Sequence, residues 1–564
     1  MPRTLALTGI VVLAAALAAQ APPRVSAPFT VIEATIADMR AAMEQGRVTS
    51  REIVQQSLTR IALHEDRLNA AIAVNPRALQ QADERDRERR EGRIRGPLHG
   101  IPIALKDNIH TTDMPTTGGA LAFAGLVPPY EATLTRHLRN AGAIIIAKTV
   151  MTELANWVAE GMPTNYSSLG GFGFNPYDPR RDPRQATFDG RPVLATGGSS
   201  SGIGTAASFW AANVGTETSG SILSPASQTM LVGIKPTVGR VSRRGVIPIT
   251  ADQDTPGPMA RTVADAAVML GVLEGPAPDP SDPAAAACAP PPNRDYTPFL
   301  RGDALRGARI GVPRAFYFDA ARAPGMARAV GGLSEPQTAV MNEAIAALRA
   351  AGATIVDPAN LPSIVTQERG RSLLAWPVCS GLDSAKGRDQ DCSIVFKYGM
   401  KRDFNAWLAS LGPSAPVQTL TELRAWNRAH ERAGTLKYGQ AQLDISDEMD
   451  VEADRARYRA DREKDLRLAG REGIDAVLRE HRLDALVFAS NYGANAAARP
   501  GYPTMIVPFG RVPVDPSGFP PGFDPNPSPF GVSFTGPACS EPRLIALAYA
   551  FEQATKRRVP PAID

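Results

Sequence analysis

Apolar residues recur at helical spacing directly after a capping sequence near the start of the chain. Thr49 and Glu52 form the pattern Thr-x-x-Glu, in which each side chain can pair with the backbone N–H group of the other residue. Apolar residues then follow at helical intervals, at Ile53, Val54, Leu58, Ile61 and Leu68. The pattern predicts a helix that packs one face on the core.

From residue 98 to residue 270, short apolar runs alternate with stretches of helical character. The runs at 101–105 and 143–147 have the length of buried strands, and the segment 133–140 between them has helical spacing. Alternation of strands and helices is typical of α/β proteins. We therefore predict an α/β fold, in which residues 28–275 form the N-terminal helices and the catalytic core.

The composition changes after residue 275 and becomes core-like again near residue 483. Pro, Ala and Asp dominate as far as Pro313, which suits a surface crossing better than a packed element. Three apolar runs near the end of the chain are long enough for buried strands, at 483–488, 503–508 and 530–536. The sequence thus predicts a mostly helical, substrate-pocket segment, 276–482, and a C-terminal return to the sheet, 483–564.

Residues 1–21 have the pattern of a secretory signal peptide. Arg3 precedes an apolar run from Leu5 to Ala19, and small residues allow cleavage after Ala18 or Ala21. The run is short for a membrane span, although an uncleaved anchor is an alternative. We expect a periplasmic or secreted protein that has no stable membrane association after cleavage.

The four cysteines are too few to form a disulfide scaffold in a chain of 564 residues. A local pair is nevertheless favourable in an oxidising compartment, and Cys379 and Cys392 lie in one short segment. We predict a disulfide between these two residues. Four unpaired thiols, each a small buried apolar group, are the alternative.

The charge pattern argues against nucleic acid as a partner. The net charge is +4 from 61 basic and 57 acidic residues, and the two signs are interspersed along the chain. The six histidines are scattered singly, and no His-x-x-x-His or Cys-x-x-Cys pair occurs. We therefore expect neither a metal site nor, since no dinucleotide-type glycine motif opens a predicted helix, a cofactor.

Two clusters of glycine and serine bracket the stretch from Thr196 to Ser221. Glycines leave backbone N–H groups open to a ligand, so such turns can hold an anion. The residues between the clusters have helix-compatible character. A serine hydroxyl is a poor nucleophile until a base removes its proton. Lys106, which ends the apolar run 100–105, is the candidate base.

Five stretches of the chain match, in order, the motifs of one enzyme family. They are Gly-Ile-Pro-Ile-Ala-Leu-Lys106-Asp-Asn, Gly-Gly-Ser-Ser-Ser-Gly202, Gly-Thr-Glu-Thr-Ser-Gly-Ser221-Ile, Gly233-Ile-Lys-Pro-Thr237 and Asp254-Thr-Pro-Gly-Pro-Met-Ala-Arg-Thr262. Through these motifs nearly the whole mature chain resembles the amidase signature family, and it looks closest to the bacterial peptide amidase branch. The resemblance implies a large mixed β-sheet covered by helices on both faces.

The resemblance also implies the residues of the active site. Carried over to this chain, the triad is Lys106, Ser199 and Ser221, in which Ser221 attacks the carbonyl, Ser199 relays its proton and Lys106 is the ultimate base. The oxyanion hole consists of the backbone N–H groups of Thr218, Ser219, Gly220 and Ser221. In the family a cis peptide bond holds the relay serine, so we expect the Gly198–Ser199 bond to be cis.

The role implied for Lys106 requires a neutral amine, whereas a free lysine has a pKa of about 10.4. Desolvation can lower a lysine pKa by as much as roughly 3 to 5 units. We therefore expect Lys106 to be buried beneath the apolar run that precedes it. Two departures from the family are visible, a slightly shorter interval between the two serines and Glu217 in place of a common aspartate.

Three other functions are weighed against this interpretation. Gly198-x-Ser200-x-Gly202 satisfies the nucleophile elbow of α/β-hydrolases, with 193–195 as the strand before it and Ser200 as the nucleophile of an esterase. That mechanism needs a histidine after the late strands, where this chain has none. A non-catalytic periplasmic binding protein is the second alternative. The amidase component of an aminoacyl-tRNA amidotransferase also resembles these motifs, but an exported chain is separated from tRNA.

The resemblance implies hydrolysis of a carboxylic amide without a cofactor, and it leaves the substrate open. C-terminal peptide amides fit the nearest branch, while aryl amides, carbamates and esters are alternatives. The expected partner is a small-molecule amide or a short amidated peptide. The sequence is compatible with a monomer or a homodimer.

Overall fold

The computed structural model of the protein describes residues 28–563, so the predicted signal peptide, residues 1–21, lies outside the described residues. The strands are β1 Ala71–Val74, β2 Pro102–Lys106, β3 Ile144–Thr149, β4 Tyr166–Ser167, β5 Gly171–Phe172, β6 Ala212–Glu217, β7 Val232–Lys235, β8 Thr255–Ala260, β9 Arg309–Gly311, β10 Thr354–Val356, β11 Ala485–Ala489, β12 Thr504–Val512 and β13 Ser528–Thr535.

The α-helices of the same range are α1 Ile36–Glu44, α2 Ser50–Leu68, α3 Ala78–Arg90, α4 Thr133–Asn140, α5 Ile203–Ala206, α6 Leu223–Gln228, α7 Val263–Glu274, α8 Glu335–Ala350, α9 Pro362–Val365, α10 Val395–Leu411, α11 Leu420–Ala429, α12 Ala441–Asp447, α13 Arg455–Asp465, α14 Asp475–His481, α15 Ala494–Ala498 and α16 Glu541–Thr555. A π-helix, Leu466–Ile474, joins α13 to α14. None of the helices in this range combines the length and the apolar character that crossing a bilayer requires.

One mixed sheet of 11 strands forms the centre of the fold, in the order β1-β3-β2-β6-β8-β7-β12-β13-β11-β9-β10. The neighbours β3, β2 and β6 run parallel, and β8, β7, β12 and β13 are antiparallel to their neighbours. The predicted α/β fold with a large mixed sheet is therefore confirmed. Strands β4 and β5 form a separate hairpin.

Helices cover both faces of the sheet, which explains why its central strands are continuous apolar runs. Every residue of β3 is buried. Ile145 packs in the cluster that contains α1, α4 and α7, whereas Ile144 and Ile146 pack in the cluster that contains α2 and α3. Because successive side chains of a strand point to opposite faces, a strand buried on both faces carries no polar alternation.

The capping sequence before α2 forms the predicted pair of hydrogen bonds. The Glu52 backbone N–H donates to Thr49 Oγ1 at 3.1 Å, and the Thr49 backbone N–H donates to Glu52 Oε2 at 2.7 Å. The apolar face of the helix is buried through Ile53 and Val54, both of which are fully inaccessible. The helix ends at Asn69, whose left-handed backbone stops the turn.

The parallel strands in the middle of the sheet bring their carboxyl ends to one edge. Lys106 at the end of β2 is paired in register with Thr149 at the end of β3. Strand β6 runs parallel to β2 on its other side and ends at Glu217. Ligand sites of parallel sheets lie at the carboxyl ends of the strands. The loops that follow these strands therefore meet at one place.

The stretch between the two Gly/Ser clusters differs from the prediction. Only Ile203–Ala206 is helical, and strand β6, Ala212–Glu217, occupies the second half of the stretch. Residues 193–195, expected as a strand in the elbow alternative, lie in a loop. The buried position between β2 and β8 explains the difference, because a central ladder satisfies the backbone groups of these small residues.

Two disulfides cross-link the described chain. The predicted Cys379–Cys392 bond is present and lies in a small buried cluster with Tyr398. The second bond, Cys288–Cys539, joins residues 251 positions apart, from the surface crossing to the turn before α16. Sequence spacing gives no indication of such a distant pair, so the prediction missed it.

We predict that the two disulfides differ in their contribution to stability. In the chain-entropy account, stabilisation grows with the length of the closed loop, to about 5 kcal/mol for Cys288–Cys539 against about 3 kcal/mol for Cys379–Cys392. Replacing each pair by serines and measuring urea unfolding should show the larger loss for the distant pair. Equal losses, or a larger loss for the local pair, would contradict this expectation.

Candidate active site

Lys106 lies at the end of β2 with its side chain fully buried. Its Nζ is 2.6 Å from Ser199 Oγ and 2.8 Å from Thr216 Oγ1, and it donates to the Thr216 carbonyl oxygen at 3.3 Å. Three oxygen atoms from two residues thus surround one amine. An aliphatic stem of this length is held by the strand below it and by the oxygens above it.

Burial lowers the pKa of Lys106 from its ordinary value to about 7, and the nearby carboxylates of Asp254 and Glu217 oppose that shift. Desolvation disfavours the charged form of an amine, whereas a negative neighbour favours it. The predicted burial of Lys106 is therefore confirmed. Near neutral pH a substantial fraction of the amine is free to accept a proton.

The three serines named by the sequence differ in their access to solvent. Ser199 and Ser200 are completely buried, whereas Ser221 keeps 9% of its surface exposed. The structure brings Ser199 against Lys106 and leaves Ser221 at the rim of the site. Of these three hydroxyls, only that of Ser221 is open to a substrate.

The loop 197–202 and the loop 218–221 are in direct backbone contact. The Ser200 backbone N–H donates to the Ser221 carbonyl oxygen at 3.2 Å. A methyl group on Gly198 would lie 2.7 Å from the Ser221 Cα atom, so a side chain at this position is excluded. Thr152 holds the first loop from behind, since its hydroxyl donates to the Gly198 carbonyl oxygen at 3.1 Å.

The expected cis peptide at Gly198–Ser199 is wrong for this structure. Within residues 28–563 the one cis bond is Asp357–Pro358, and Gly198–Ser199 is trans. The Ser199 hydroxyl reaches Lys106 from the trans arrangement, so contact with the base does not require the cis bond. In the described part of the chain, Ser199 Oγ is hydrogen-bonded to Lys106 and not to Ser221 Oγ.

The loop that holds the four predicted oxyanion donors, Thr218, Ser219, Gly220 and Ser221, begins where β6 ends. Gly220 has a φ of +86°, a conformation that favours glycine. Glu217 Oε2 accepts the backbone N–H groups of Ile222 at 2.8 Å and Leu223 at 3.0 Å. Its carboxylate thereby fixes the chain that follows Ser221 and the start of α6. Glu217, the departure from the common aspartate, thus serves as an anchor of this loop.

Ser200, the nucleophile of the elbow alternative, has a structural position. Its hydroxyl donates to the Thr216 carbonyl oxygen at 3.0 Å and accepts the Thr216 backbone N–H at 3.1 Å. No histidine of the described chain hydrogen-bonds to it, and it has no access to solvent. The elbow alternative is therefore wrong, because a nucleophile must be paired with a base and reach a substrate.

Sequence reasoning missed three residues that contact the site. Thr216 contributes two oxygens around the Lys106 amine, and Thr152 holds the loop of Ser199. Asp254 accepts a hydrogen bond from the Thr218 hydroxyl. Thr216 and Asp254 stand within the recognised motifs, which was the available signal for them. Thr152 lies outside the motifs and becomes visible only in the fold.

Comparison with known proteins identifies the class to which this fold and site belong. The sequence profile of the family described as Amidase matches residues 52–545. A protein of Arabidopsis thaliana named probable amidase is 33% identical over 543 residues, which cover 95% of this chain and 93% of that protein. The chain therefore belongs to the amidase family, and it is a hydrolase that acts on amide bonds.

A solved structure of the family has the same fold over almost the whole chain. The peptide amidase from Stenotrophomonas maltophilia aligns with a TM-score of 0.76 and 36% identity, over 94% of this chain and 99% of that protein. A glutamyl-tRNA(Gln) amidotransferase subunit of Chloroflexus aurantiacus is 40% identical, but over only 57% of this chain and 60% of that protein. The likeness to the peptide amidase is thus the more extensive of the two.

We predict that activity depends on a group with a pKa of about 7, because burial lowers the Lys106 pKa to that value. A general base works in its neutral form, so kcat/KM should fall about tenfold per pH unit below about pH 7 and level off above it. A pH profile on a neutral amide substrate measures this directly. A profile that rises until about pH 10, the ordinary lysine range, would show that the amine is not desolvated.

Proposed function

We propose that this protein hydrolyses small carboxylic amides by a mechanism in which Ser221 is the nucleophile, Ser199 relays the proton and Lys106 is the base. The observation that carries the proposal is the 2.6 Å separation between Lys106 Nζ and Ser199 Oγ inside a fully buried site. A pKa near 7 allows the amine both to take a proton and to return it.

Access to substrate favours Ser221 over Ser199 as the nucleophile. Ser221 is the serine at the rim, and its backbone contacts the loop that carries Ser199. The Ser221 hydroxyl loses its proton to Ser199 as it bonds to the carbonyl carbon, while Ser199 passes its own proton to Lys106. Collapse of the tetrahedral intermediate breaks the C–N bond, and the proton returns to the departing nitrogen. Water then hydrolyses the acyl-enzyme by the same route.

The loop 218–221 supports stabilisation of the tetrahedral oxyanion by backbone N–H groups. Glu217 fixes its far end, and Gly220 gives it the left-handed backbone that a tight turn needs. Donors held rigidly before the reaction need no reorganisation when the negative charge develops, an effect worth on the order of 3 kcal/mol per donor. The N–H groups of Thr218, Ser219, Gly220 and Ser221 are the proposed donors.

For the substrate, we propose the C-terminal amide of a short peptide. The support is the alignment with the peptide amidase over 94% of this chain, which includes the helical segment 276–482. Small aryl amides, carbamates and esters are the competing substrates. A role on aminoacyl-tRNA is disfavoured, since the likeness to the amidotransferase protein covers 57% of the chain. Hydrolysis of a peptide amide by the purified chain, with no second protein present, tests this proposal.

We predict that Lys106→Ala damages amide hydrolysis much more than ester hydrolysis. An amine anion is a far worse leaving group than an alkoxide, so the returned proton matters most for amides. The loss should be about 10³-fold or more on an amide and about 10-fold on a matched ester, within the range of general acid–base catalysis. Comparison of kcat/KM for an amide and an ester with the same acyl group measures the difference.

Two serine variants serve as controls for this prediction. Ser221→Ala should lose both activities, because it removes the nucleophile. Ser200→Ala removes only the hydroxyl that ties the Thr216 backbone and should keep measurable turnover with lower stability. Equal losses on amide and ester for Lys106→Ala would show that another group protonates the leaving nitrogen.

We also propose that the protein is exported and then cleaved. The support is the signal-like pattern of residues 1–21 together with two disulfides, which persist in oxidising compartments. Mass spectrometry of the protein from cell fractions should find it outside the cytoplasm without its first 18 or 21 residues, as cleavage after Ala18 or Ala21 requires. A chain with an intact N-terminus in the cytoplasmic fraction would exclude export.

A further inference from the structure

The turn 250–254, which immediately precedes β8, contacts the first residue of the loop 218–221. Gln253 Nε2 donates to the Thr218 carbonyl oxygen at 3.1 Å. The Thr218 hydroxyl donates to Asp254 Oδ1. Two consecutive side chains thus hold both the backbone carbonyl and the side chain of one residue. This arrangement leaves Thr218 little freedom to rotate.

Asp254 is itself fixed. Its second oxygen, Oδ2, accepts the backbone N–H groups of Ile249 at 2.9 Å and Thr250 at 3.0 Å. The residue is only 7% exposed, so water does not compete for these contacts. A carboxylate with both oxygens bonded inside the protein is a rigid acceptor. The position of Thr218 is therefore set by β8 and the turn before it.

The outer side of the same turn is bound to the helical segment 276–482. The Ala251 backbone N–H donates to Asp403 Oδ2 of α10 at 2.7 Å. The Tyr458 hydroxyl of α13 donates to Asp252 Oδ1 at 2.8 Å. The turn is consequently held from outside by two helices while its last two residues hold Thr218.

Charge links the turn to the base as well. The carboxylates of Asp254 and Glu217 are the two groups that raise the pKa of Lys106 against the effect of burial. Around Asp254, burial raises the pKa to about 7, Asp403 adds to that shift and Arg243 opposes it. Removing the Asp254 charge therefore acts on Lys106 in a direction that can be measured.

We propose that Asp254 and Gln253 are positioning residues of the hydrolytic reaction. They fix Thr218 and thereby aim the backbone N–H groups of the loop 218–221 at the oxyanion. The inference rests on the proposed function of this loop, and it assigns to the turn 250–254 a role in catalysis although neither side chain is proposed to touch the reacting atoms.

Asp254→Asn and Gln253→Leu test the proposal, with Asp303→Asn as a matched control at an exposed ion pair. Both turn variants should lower kcat by about 10- to 100-fold with little change in KM, as expected when donors are misplaced. Only Asp254→Asn should also move the acid limb of the pH profile to lower pH, because it removes a charge that raises the Lys106 pKa. The control should match the parent protein in both readouts.

Wild-type kcat in both turn variants would overturn the proposal, and so would an unchanged kcat with a raised KM. If Asp254→Asn fails to fold, as judged by thermal unfolding, Thr218→Val replaces it, since that variant removes only the hydroxyl donor. It should lower kcat in the same way without moving the acid limb.

Labelling by a fluorophosphonate separates this inference from the proposed function. The reagent reacts with an activated serine, and its phosphoryl oxygen uses the same N–H donors. A protein that hydrolyses no amide would overturn the proposed function. In that case slower labelling of Ser221 in both turn variants still supports positioning, and an unchanged labelling rate overturns it.

Discussion

The desolvation of one lysine is the constraint on which the rest of the site depends. A lysine exposed to water is protonated at neutral pH, and bringing its pKa from 10.5 to about 7 corresponds to a cost on the order of 5 kcal/mol. The fold supplies that cost by burying Lys106 at the end of a strand whose residues are all inaccessible. Ser199 and Thr216 then offer oxygens to an amine that water cannot reach.

The mixed sheet converts this constraint into a site. Strands β2 and β6 run parallel, so the lysine at the end of one strand meets the loop that leaves the other. Strand β8 runs antiparallel to β6, so the turn before β8 lies beside the start of the same loop. Three segments far apart in the chain therefore meet at one edge of the sheet. Rigid strands hold their ends to a fraction of an ångström, which hydrolytic chemistry needs.

The helical segment 276–482 is bound to this edge rather than simply placed over it. Asp252 and Asp403 form polar contacts between the turn 250–254 and the helices α10 and α13. The Cys288–Cys539 disulfide ties the start of the segment to the turn before α16. Changes in this segment can accordingly reach the loop of Thr218 through a short series of hydrogen bonds.

The sequence alone determined the α/β class, the buried strands and the helix that begins after Thr49, because these follow from periodicity and local capping. It also predicted the burial of Lys106 and the local disulfide between Cys379 and Cys392, which depend on short-range pattern. The tertiary structure decided what local sequence does not encode. Strand β6 replaced an expected helix because the sheet buries its small residues, and Gly198–Ser199 is trans because the loop reaches Lys106 without a cis bond.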